Sequence, residues 1–196
     1  NSASMEGSKF NNALKGIKDE LKDLEKDTSV EYKTTFSCFK QNGLWGADPL
    51  ICWINKPLEQ ILPKLSANTG TPLYDTIIEV GNHLISKKEK DVKILFKIFT
   101  DGKDVHSKDS ANHAAKVIED CEKEGITVTF VGTKEDVKDI IKNLSIDESN
   151  TLVHDNTGEG VKKAFETTSR ATKMYSKKVV KGEDVLTGFY KEEATL

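Results

Sequence analysis

Two short apolar runs with a helix-length spacer between them limit this chain to a narrow set of folds. VKILFKIF (92–99) and GITVTFVGT (125–133) are near-continuous in apolar and β-branched residues. Runs of that kind suit strands covered on both faces, not strands with one wet side. The residues between them, 107–124, have helical periodicity. A helix-patterned segment at 135–144, the short apolar TLVHD (151–155) and a helical stretch at 158–177 follow. Strands alternating with helices predict an α/β domain: a largely parallel sheet with helices on both faces.

The N-terminal part reads differently. Phe10, Leu14, Ile17, Leu21 and Leu24 form one apolar stripe, so a helix runs from about Phe10 until Asp27-Thr28-Ser29 breaks it. VEYKTTFSCF (30–39) alternates loosely, and PLICWIN (49–55) is flanked by Pro49 and Pro57. These are expected to form an antiparallel pair, with the second at a sheet edge. A polar loop at 66–71 precedes Pro72, placed where the first helical turn accepts proline. Leu73, Ile77, Val80, Leu84 and Ile85 continue at helical spacing. Residues 178–196 have weak periodicity and read as a tail or linker, or as a segment packed on the domain edge.

Bulk properties remove several function classes. The 196 residues, 36% hydrophobic and 31% charged, suffice for one sizeable core. Net charge is −3 with both signs mixed throughout, so nucleic acid is not expected as a partner. The longest apolar run is far shorter than a membrane span, and no signal peptide is visible. Cys38, Cys52 and Cys121 lack C-x-x-C spacing and are odd in number, which predicts free thiols in a reducing compartment. Neither G-x-G-x-x-G nor a Walker pattern occurs, which counts against a nucleotide enzyme.

In an open α/β sheet, ligands bind beyond the carboxyl ends of the strands. The polar residues expected there are Thr100 and Asp101 after the first apolar run, Thr69 and Thr71 ahead of the Pro72 helix, and Ser2 and Ser4 ahead of the Phe10 helix. Hydroxyls with one carboxylate make a hard oxygen donor set, suited to Mg²⁺ or Mn²⁺. Each feature also has a plainer reading. Ser2 and Ser4 can cap the next helix, Thr71-Pro72 can be an N-cap followed by proline, and Asp101-Gly102 is a common turn pair. A triad of Ser4, His106 and Asp101 can be drawn, but no G-x-S-x-G supports it. Trp53 is assigned to the core. Trp45 is either a contact residue or cover for the sheet edge.

Together, NSASMEG, GTPLYD and IFTDGKD resemble the three segments of the metal-ion-dependent adhesion site of von Willebrand factor A domains, the fold shared with integrin I domains. The resemblance covers residues 1 to about 176. It implies a three-layer, Rossmann-like domain over 1–177, with a mostly parallel sheet and one antiparallel edge strand. It implies a Mg²⁺, with Mn²⁺ as a substitute, held by Ser2, Ser4, Thr71 and Asp101, some through water. It also implies a partner protein whose Asp or Glu carboxylate fills an open metal position, with no membrane and no catalysis. The family's first strand and the aspartate of D-x-S-x-S would lie ahead of Asn1, and both are expected to precede this sequence. A native start at Met5 is the rival reading. The lack of paired cysteines points to the intracellular branch found in bacteria and phages, and so to the cytoplasm. Two alternatives stand beside this: a metal-assisted hydrolase or phosphotransferase with His106 as base, and a structural domain with a degenerate site.

Overall fold

The computed structural model describes residues 5–34, 71–100, 103–105 and 107–191, with the backbone alone at 135–136. The elements in chain order are α1 (Ser8–Lys26), α2 (Leu73–Ser86), β1 (Ile94–Phe99), α3 (Ala111–Lys123), β2 (Ile126–Thr133), α4 (Lys134–Leu144), a 3-10 turn (Glu148–Asn150), β3 (Thr151–His154) and α5 (Gly158–Val180). The strands form a parallel sheet in the order β1-β2-β3, with Phe96 opposite Val128 and Val131 opposite Leu152. All eight residues of β2 are buried, as a central strand requires, whereas β1 alternates between buried and half-buried.

Strand alternation divides the core in two. Phe96, Ile98, Ile126, Val128 and Phe130 meet Leu73 and Ile77 of α2, Val117 and Ile118 of α3, and Val137 and Ile140 of α4. On the opposite face, Val131, Leu95, Phe99 and Leu152 meet Ala164, Ala171 and Tyr175 of α5, and Phe99 also packs with Met5, Ala13 and Phe165. The result is a three-layer α/β arrangement. Gly81 permits the close approach of α2 and α3, since a Cβ there would come within 2.5 Å of Val117 Cγ1. Among the described residues, no helix is long and apolar enough to cross a membrane.

Several expectations from the sequence need correction. Residues 30–34 form no strand. Tyr32 instead reaches back to the helices, donating to Asp27 Oδ2 at 2.6 Å and lying 2.8 Å from Ser176 Oγ. The remainder of the expected antiparallel pair, 35–39 and 49–55, lies outside the described residues, as do Trp45, Trp53, Cys38 and Cys52. Helix α3 starts at Ala111, capped by Ser110 Oγ, and not at Ser107. Ser107 and the amides of Lys108 and Asp109 bond to the first turn of α2 instead. Pro72 occupies the N-cap of α2, not its first helical position, so Thr71 is not the cap.

Helix α5 continues to Val180, and the chain beyond it is packed. Val185, Phe189 and Tyr190 are buried against α5 and the sheet. Asn150, fully buried, donates through Nδ2 to the Leu186 carbonyl at 2.7 Å and accepts from the Phe189 amide at 3.0 Å. The Thr127 hydroxyl donates to the Val185 carbonyl at 3.0 Å. Residues 181–191 are therefore a strap tied to β2 and to the turn before β3.

Candidate functional site at the carboxyl edge of the sheet

Parallel strands end together, so the last residues of β1, β2 and β3 share one edge with the turns that start the helices. Three chain segments meet there. Met5, two residues ahead of the Gly7 N-cap of α1, packs in one cluster with Phe99, the last residue of β1. Thr100, buried, donates its amide to the Val131 carbonyl at 3.1 Å. Thr71, also buried, forms an isolated antiparallel bridge with Val105, its carbonyl accepting from the Val105 amide at 2.8 Å.

The start of α2 is held by residues from a different part of the chain. Pro72 at the N-cap has no side-chain hydroxyl or carboxylate, so the free amides of the first turn need outside acceptors. Asp104 Oδ1 accepts from the Leu73 amide at 2.7 Å and the Tyr74 amide at 3.2 Å. Ser107 Oγ accepts from the Tyr74 amide at 3.0 Å and the Asp75 amide at 3.2 Å, and itself donates to Asp104 Oδ1 at 2.5 Å. Asp75 in return accepts from the amides of Lys108 and Asp109, both at 2.9 Å. A carboxylate at a helix N-terminus also meets the positive end of the helix dipole. These bonds fasten the segment after β1 to the segment after Thr71.

Of the four residues assigned to a metal from the sequence, only Thr71 is among the described residues. Ser2, Ser4 and Asp101 lie outside them, as does His106, the candidate base. Thr71 is buried, at 4% exposure. No group of three or more His, Cys, Asp or Glu that would hold a metal occurs among the described residues. The proposed donor set is of another kind, three hydroxyls and one carboxylate.

Two features of this edge had no signal in the sequence. Asp104 falls in no expected element and Ser107 reads as the start of the next helix, because a helix cap supplied from 31 residues away leaves no local pattern. His154, at the end of β3, is buried. Its Nδ1 lies 2.9 Å from the Asp155 carbonyl, and its ring stacks on Phe99 with 5.7 Å between centroids. Phe99 stacks in turn on Phe165 at 4.2 Å.

No family model matches this sequence, and no curated protein matches it either.

Proposed function

We propose that this chain is a metal-dependent protein-interaction module of the von Willebrand factor A type. In this reading a Mg²⁺ at the carboxyl edge of the sheet is held by Ser2, Ser4, Thr71 and Asp101, some of them through water. The observation that supports the reading most is the meeting of three segments. Met5, Thr71 and Thr100 neighbour or belong to the three motifs, and all three sit at one edge of the sheet.

When bound, the ion would present a Lewis-acidic position to a carboxylate from a partner protein. With few formal negative charges in its donor set, it would keep much of its charge for that ligand. The chain's own residues do the positioning. Asp104 and Ser107 hold the first turn of α2 and so fix the backbone around Thr71. The Thr71–Val105 bridge links that backbone to the segment following Asp101.

Calorimetric titration with Mn²⁺ and Mg²⁺ tests the proposal, on this chain and on one extended upstream by its natural residues. The extended protein is expected to bind, Thr71→Val to weaken binding, and Asp101→Ala to abolish it with unchanged far-UV circular dichroism. Equal binding by all variants, or none by the extended protein, rejects the metal site.

A further inference from the structure

We draw no further inference here: the strongest candidate, the buried side chain of His154 at the carboxyl end of β3, whose Nε2 has no hydrogen-bond partner among the described residues, carries nothing because, beyond the Phe99 ring and the Asp155 carbonyl, nothing among the described residues shows what chemistry would face that nitrogen.

Discussion

The two faces of the β1-β2-β3 sheet are built from alternate residues of the same strands, yet they are held by different physics. The face toward α2, α3 and α4 is aliphatic and aromatic throughout: Phe96, Ile98, Ile126, Val128 and Phe130 pack on Leu73, Ile77, Val117, Ile118 and Leu144. The face toward α1, α5 and the strap places Lys97, Thr127 and Thr129 among its apolar residues. Lys97 Nζ bonds Glu20 Oε1 at 2.6 Å, and the Thr172 hydroxyl lies 2.8 Å from the same oxygen. Tyr190 and Thr168 hydroxyls are 3.1 Å apart, and burial pushes the Tyr190 phenol far above its ordinary value. Apolar area removed from water stabilises the first face, and any well-filled arrangement serves it. Most of the buried polar groups on the second face have a particular partner, since leaving one unmatched is costly; Thr129 Oγ1 has none among the described residues.

Substitutions can break this contrast. The largest effect is expected from Phe130→Ala, which empties a fully buried ring site and costs about 4 kcal/mol of unfolding free energy by the usual range for such truncations. Urea denaturation measures it. No second substitution on the opposite face should restore the loss.

Lys97→Ala follows, at about 3 kcal/mol, because it leaves the Glu20 carboxylate, 9% exposed, without its cation. Here a second change should rescue. Lys97→Met combined with Glu20→Leu removes both charges and is expected to unfold near the wild-type midpoint. If the double variant is as unstable as the single one, the second face is held by packing and not by partner matching.

Asn150→Ala tests the strap and should cost about 2 kcal/mol, since it strands the Leu186 carbonyl and the Phe189 amide. Proteolysis is the more telling readout. Cleavage after Lys181 should accelerate while sites in α3 stay protected.

The smallest effect is confined to acid. Hydrogen bonds from the Ser29 hydroxyl, the Tyr32 hydroxyl and the Ser29 amide hold Asp27 down from 3.8 to about 2. A depressed carboxylate stabilises the fold above its unfolded pKa, and that contribution is lost as pH falls through the folded value. Wild-type stability should therefore fall between pH 4 and about 2 more steeply than that of Asp27→Asn. Identical acid limbs would show that the link from Asp27 to Tyr32 does not contribute in solution.

Much of the apolar face was legible in advance, and little of the polar one. VKILFKIF and GITVTFVGT announced two strands covered on both sides, and the spacing of Leu73, Ile77, Leu84 and Ile85 announced α2. Thr127 and Thr129 sat in plain view within the second run, but their alternation carried no indication of what they would face. Lys97 and Glu20 are 77 residues apart, and Asn150 and Leu186 are 36 apart. The weak periodicity of 178–196 left a tail, a linker and a packed segment all open; 181–191 is a packed strap of turns and bends anchored by Val185, Phe189 and Tyr190, which has no helical or strand repeat. The fastening of the first turn of α2 by Asp104 and Ser107, beside Thr71, had no signal in the sequence.

The sequence by itself determined where apolar side chains recur at strand or helix spacing, and hence the order of elements from α2 to α5. That information is local, since a pattern of burial is written along each segment. Only the tertiary structure decided which hydroxyl, carboxylate or amide meets which. A hydrogen bond is directional and short, so its partner depends on how separate segments are brought together, which no single segment records.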